Sequence, residues 1–265
     1  MRALKTINWK VFALLLVAGL LGVLAVLPLA FDMIRGHAFG PAPAPEIPLP
    51  LLVAASLLQN GILLAVAIAI GMILSSRVGL QMPLIPVWAR GERPASLRAV
   101  VLPGVLLGAA AGAALVAMEV ALFLRQLPKA MLPLYDIPLW KRLLGGMVYG
   151  GITEELLMRL FLVSLVAWLL GKFWKTPEGL PTPGAFWCAI ILVAILFGLG
   201  HLPITSVITP LTPMLIVRAL LLNGVAGVAF GYLYWRYGLE AAMVGHMSAH
   251  VVLQGPGLEL IKRLL

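Results

Sequence analysis

The sequence predicts an all-α fold, a polytopic transmembrane helix bundle of about seven spans, eight at most, around a polar intramembrane cavity. Three observations carry that expectation. Hydrophobic residues make up 62% of the 265 and charged residues only 11%, where a soluble domain carries roughly 25% charged residues. Mean hydropathy is +1.06. The apolar residues gather into helix-length runs near 11–34, 50–74, 97–124, 144–171, 184–207, 213–235 and 240–261. A helix of about 20 such residues crosses the hydrocarbon. Ionisable side chains nevertheless occur inside several runs, and at membrane depth they are costly enough to point to a site.

The first run follows the basic stretch MRALKTINWK. It is too long for the apolar core of a signal peptide, roughly 7–15 residues, and reads as a retained span. GPAPAPEIPLP at 40–50 cannot continue a helix, because proline lacks a donor and clashes with the preceding turn. The second run is followed by a loop bearing Arg77, Arg90, Arg93 and Arg98, the best cytoplasmic candidate. With the N-terminus inside, ten basic residues fall on the inner side and seven on the outer, a weak bias toward a cytoplasmic N-terminus. In the third run Gly104, Gly108, Ala110, Gly112 and Ala113 offer a flat surface to another helix, as Gly224, Gly227 and Gly231 do in the sixth. Leu127 to Trp140, with two prolines, Tyr135 and Trp140, reads as a short interfacial segment. Cys188 has no partner for an internal disulfide and reads as a small buried hydrophobe. Arg218, near the start of its span, reads as snorkelling to headgroups, with approach to a substrate carboxylate as the alternative. The chain as a whole, 1–265, reads as a single membrane domain whose functional core is 144–255. The formal charge of +9 is scattered over the ends of apolar runs and forms no patch for nucleic acid, so the expected basic contacts are with membrane lipids.

Chemistry concentrates in the second half. In GITEELLMRLF, Glu155 and Arg159 are four apart on one helical face and can pair internally. Glu154, about 100° round the helix, is then free to face elsewhere. In FGLGHLP, His201 lies between two glycines and Pro203, which predicts a bent or terminated helix and a small cavity. In GLEAAMVGHMSAH, His246 and His250 share a face, a spacing suited to two ligands or two donors. Straight helices would set Glu154, His201 and His246 at different depths, so tilt, or a break near Gly200 and Pro203, is expected.

These residues supply what amide hydrolysis needs: a carboxylate to take a proton from water, and imidazoles or a histidine-held metal to stabilise the carbonyl oxygen. No cofactor is required by this inventory; zinc on His201, His246 and His250 is the metal it would take. No serine stands in a GxSxG context, and there is no HExxH. A transporter relaying protons or binding a cation, and a non-enzymatic scaffold or immunity protein, are the competing readings.

The three motifs resemble those of the CPBP family of intramembrane proteases, which includes CAAX prenyl endopeptidases and proteins of bacteriocin processing and immunity. That family is marked by EExxxR, FxxxH and HxxxN. Here they read Glu154-Glu155 to Arg159, Phe197 to His201, and His246 to His250, over roughly 144–255. The resemblance implies that Glu154 is the general base and that His201 helps hold water. It also implies that His246 with His250 stabilises the oxyanion or binds metal, and that Glu155, Arg159 and Phe197 give structural support. It further implies a membrane-associated or lipidated peptide substrate, cleaved near the C-terminus where it is a prenylated CAAX-type protein. His250 stands where many relatives have asparagine, and imidazole can donate or ligate where an amide can only donate well.

Overall fold

The computed structural model describes residues 7–35 and 48–265. The proline-rich linker up to residue 47, with Arg2 and Lys5, lies outside the described residues. The described chain is helical throughout, with no strand beyond a single bridge between Lys175 and Pro181.

Helix α1 covers Trp9–Arg35, α2 Leu49–Arg77, the short α3 Ile85–Ala89 and α4 Arg98–Met118. A tighter run at Lys129–Asp136 leads into a rod over 139–170. The rod comprises α5 (Leu139–Leu143), π-helical stretches Leu144–Glu154 and Leu156–Val163, and α6 (Ser164–Leu170). Then come α7 (Pro183–Gly200), α8 (Leu202–Ile208), α9 (Pro213–Tyr237), α10 (Leu239–Val252) and, after a further π turn, α11 (Leu258–Leu264).

Among the described residues five helices are long and apolar enough to cross a membrane: Trp9–Met33, Leu49–Arg77, Arg98–Gln126, Pro183–Ile208 and Pro213–Tyr237. This corrects the expected seven. The two motif-bearing runs at 144–171 and 240–261 do not form regular spans. One is π-helical over most of its length. The other begins with 14 residues of α-helix, about 21 Å of rise against a hydrocarbon core of about 30 Å. Both pack closely against neighbouring helices. In α10, Leu239 to Met243, Gly245, His246 and Ala249 are all buried.

Small residues set which helices touch. Along α4 a Cβ added at Gly104 would lie 2.8 Å from the Ala241 carbonyl, and one at Gly112 2.6 Å from that of Ala249. Gly108 abuts the Gly245 backbone between them. The contacts advance in the same order on both helices, so α4 and α10 run parallel with their backbones in contact. Between α7 and α9, Gly227 meets Ala194 and Gly231 meets Ile190, an antiparallel pair. Gly224, expected in the same stripe, has open space around it.

Three other expectations change. Cys188 is exposed on α7 rather than buried, on a surface whose Trp187, Ile191 and Leu192 are also exposed and apolar. Tyr135 is 9% exposed and turned inward, leaving Trp140 and Leu139 as the outward apolar groups of that stretch. Arg218 does not reach headgroups. Its Nε and Nη2 donate to Glu119 Oε2 and Oε1, each at 2.9 Å, and the Tyr135 hydroxyl donates to the same Oε1 at 2.9 Å. Glu119 is 3% exposed, and a buried carboxylate of that kind holds a two-pronged guanidinium more strongly than water-exposed headgroups would.

Candidate functional site

The rod over 139–170 approaches α10 through glycines that the sequence reading did not single out. GGMVYGG at 145–151 supplies Gly146 and Gly150, four apart, and they face His250 and His246, also four apart. A Cβ at Gly150 would sit 2.8 Å from His246 Nε2, and one at Gly146 would overlap the His250 ring. The missing side chains are the space the two imidazoles occupy. On the far face, Thr153 donates its hydroxyl to the Gly19 carbonyl at 2.8 Å, pinning the rod to α1 one residue before the glutamate pair. Gly150→Val is therefore expected to abolish activity and to cost about 1–3 kcal/mol, as overpacking does. Gly224→Ala, in open space, should leave both unchanged; turnover and melting temperature measured on the two variants check this.

Glu154 and Glu155 do not turn away from each other. They bracket one imidazole: Glu155 Oε1 lies 2.7 Å from His246 Nδ1, and Glu154 Oε2 lies 3.8 Å from His246 Nε2. Their environments differ all the same. Glu155 is fully buried, whereas Glu154 keeps 18% of its side chain accessible. The expected Glu155–Arg159 pair forms, with Nη1 3.0 Å from Oε1. That contact is an ion pair without hydrogen-bond alignment, for Arg159 Nη1 and Nε and Glu155 Oε2 all lack hydrogen-bond partners. Arg159 is further held by the Gly227 carbonyl, 3.2 Å from Nη2. Its guanidinium also lies 5.3 Å from the ring centre of Phe197 and 5.4 Å from that of Phe230, both within cation–π range. Phe230 stacks on His246 as well, ring centres 4.6 Å apart, so one aromatic plane fixes both cation and imidazole.

His201 sits in the break between α7 and α8. Its backbone N–H bonds to Gly198 at 3.2 Å instead of Phe197, which frees the Phe197 carbonyl for the imidazole Nδ1 at 2.8 Å. A carbonyl only accepts, so Nδ1 carries the proton and Nε2 is left with its lone pair. The same reasoning applies to His246, whose Nδ1 faces the Glu155 carboxylate. His250 differs. Its Nδ1 faces Gln254 Nε2 at 3.4 Å, and Gln254 Oε1 is 2.6 Å from Arg142 Nε.

His201 and His250 both line a cavity of about 360 Å³, walled mainly by apolar side chains and also reached by Arg142, Gln254, Glu119 and Arg218. Glu154 and His246 are not among its lining residues. The glycine contacts set His246 beside the rod near Glu154, and His201 and His250 meet at the cavity. His246 is level with Gly150, one turn of the rod from Glu154.

The donor types fit a metal in part. His201 and His246 each hold a carbonyl or carboxylate on Nδ1, the usual outer support of a metal-bound imidazole. The spacing does not fit. Among the described residues no three His, Cys, Asp or Glu side chains are grouped to hold an ion. His246 and His250 stack at 5.1 Å with planes 11° apart, so their in-plane lone pairs run side by side rather than converge at the roughly 2.0–2.1 Å that zinc requires.

Fold and site together define a multi-pass helical membrane protein with a carboxylate–imidazole cluster enclosed between its helices. Residues 136–252 match the family model described as Type II CAAX prenyl endopeptidase Rce1-like. That stretch holds all three motifs, and over it the chain is similar to a family of peptidases. No curated protein and no solved structure matches the chain.

Proposed function

We propose that the protein is an intramembrane endopeptidase that hydrolyses a peptide bond of a membrane-associated, CAAX-type prenylated substrate with water activated by Glu154 and the histidines. The observation that carries this reading is the placement of Glu154 Oε2 3.8 Å from His246 Nε2. That separation is too long for a direct hydrogen bond and suits one water touching both acceptors. Glu155 holds His246 in the tautomer whose Nε2 accepts from that water, and His201 Nε2 offers a further acceptor.

In the reaction so assigned, the water oxygen attacks the scissile carbonyl carbon while its proton passes to Glu154. The carbonyl oxygen gains charge and is met by a donor facing the cavity. His250, whose Nδ1 is approached by an amide N–H, is the imidazole able to donate from Nε2. As the C–N bond breaks, Glu154 returns the proton to the departing nitrogen, leaving a carboxylic acid and an amine. The apolar cavity walls suit a lipid-tailed peptide, and the loop bearing Arg77, Arg90, Arg93 and Arg98 supports a cytoplasmic N-terminus. Zinc on His201, His246 and His250 would require those side chains to regroup.

The test uses protein reconstituted in phosphatidylcholine–phosphatidylglycerol vesicles with a farnesylated CAAX peptide and the same peptide unprenylated, products being read by mass spectrometry in ¹⁸O-water. Cleavage of the farnesylated peptide, with ¹⁸O in the new carboxylate, supports the reading. Equal cleavage of both peptides would remove the prenyl specificity from it, and absence of cleavage would refute the hydrolytic reading on this substrate.

A further inference from the structure

The chain Arg142–Gln254–His250 has no counterpart in the three motifs, and its hydrogen-bond directions are determined by chemistry alone. A guanidinium only donates, so the Gln254 atom 2.6 Å from Arg142 Nε must be the amide oxygen. The amide nitrogen is then the atom turned toward His250 Nδ1, at 3.4 Å. An amide N–H donates, Nδ1 accepts, and a neutral imidazole that accepts at Nδ1 carries its proton at Nε2. Arg142 is itself anchored, with Nη1 donating to the Leu134 carbonyl at 2.8 Å. The anchor, the amide and the imidazole all line the 360 Å³ cavity.

We infer that Gln254 is a positioning residue that, oriented by Arg142, locks His250 in the Nε2–H tautomer and so makes it the one imidazole of the three that donates into the site. The contrast with its neighbours gives the device its purpose. His201 and His246 have Nδ1 turned toward acceptors and present lone pairs at Nε2; a site made only of such imidazoles could hold water but could not stabilise an oxyanion. His250 would be free to take either tautomer without Gln254. This inference rests on the proposed hydrolytic reading only for its catalytic consequence; the tautomer itself does not depend on it.

Two readouts separate the two. In ¹⁵N-histidine NMR of the full chain in lipid, the His250 signals, assigned by loss in His250→Ala, are expected to show a protonated Nε2 and a bare Nδ1. In Gln254→Glu, where Arg142 keeps the carboxylate ionised, the proton should move to Nδ1. With the farnesylated CAAX peptide, Gln254→Glu is expected to lower kcat by about 10²–10³-fold, the usual loss of one oxyanion donor, with KM little changed. Gln254→Leu, which permits both tautomers, should lose less. A merely structural role predicts the opposite order, since glutamate is isosteric and keeps the Arg142 contact. A wild-type His250 protonated at Nδ1 would overturn the inference whatever the turnover. A tautomer that reverses in Gln254→Glu with kcat intact would overturn the positioning role in catalysis. Wild-type protein that shows the expected tautomer but cuts no peptide would refute the hydrolytic reading on this substrate and support the relay.

Discussion

Glu154→Gln is expected to lower peptide turnover by about 10²–10⁴-fold, the span associated with losing a general base, while the protein stays folded. The amide has the shape of the carboxylate but cannot take a proton from water. The fold should be indifferent to the change. Glu154 is accessible over 18% of its side chain and touches His246 only at 3.8 Å, whereas the ion pair, the carbonyl contact and the aromatic contacts of the site belong to Glu155 and Arg159. A change in stability within about 0.5 kcal/mol is the expectation for a residue with no buried partner to orphan. Turnover of the farnesylated CAAX peptide and thermal melting in the same detergent check both halves. Unaltered turnover would remove Glu154 from the chemistry. Lost turnover with a collapsed melting temperature would assign it to structure instead.

Arg159→Ala should show the reverse emphasis, a destabilisation of about 3–5 kcal/mol, the usual cost of removing one member of a buried ion pair. Arg159 is 1% exposed and Glu155 fully buried, so the substitution leaves an uncompensated carboxylate in the interior. It also removes the guanidinium from between Phe197 and Phe230. The double variant Arg159→Ala/Glu155→Gln, which takes away the orphaned charge, should recover part of the loss. Denaturation of the two variants beside the single Glu155→Gln closes a double-mutant cycle, and a coupling near zero would mean that the 3.0 Å contact contributes nothing. Turnover should fall in Arg159→Ala as well, because Glu155 orients His246 and loses its own anchor.

Much of this architecture was legible in the residues. Runs of apolar side chains announce membrane helices because hydrocarbon cannot satisfy a bare backbone. Gly104, Gly108 and Gly112 announced a close helix contact, though not that the partner is α10. The break at His201 followed from Gly200 and Pro203, since proline cannot continue the hydrogen-bond ladder. The span count failed at 144–171 and 240–261 because apolarity records burial without saying whether lipid or protein does the burying. GGMVYGG carried a readable signal of close approach, and its overlap with the motif segment concealed it.

The partners across helices were not legible at all. Glu119 lies inside an apolar run and gains its meaning only from Arg218 and Tyr135, 99 and 16 residues away. Gln254 is an ordinary polar residue until Arg142, 112 residues earlier, fixes which end of its amide faces His250. The same holds for the glutamate pair: a regular α-helix separates neighbours by about 100°, but the rod is π-helical up to Glu154, and both carboxylates reach one imidazole.

The sequence by itself determined that this is a helical membrane protein with carboxylates and imidazoles in its apolar runs, because composition and spacing act locally and every residue contributes to them. Tertiary structure alone decided which glutamate is enclosed and which is accessible, and which face of each imidazole carries its proton. Those outcomes depend on single atoms brought within about 3 Å from distant parts of the chain, at distances where hydrogen-bond direction is decided by the partner.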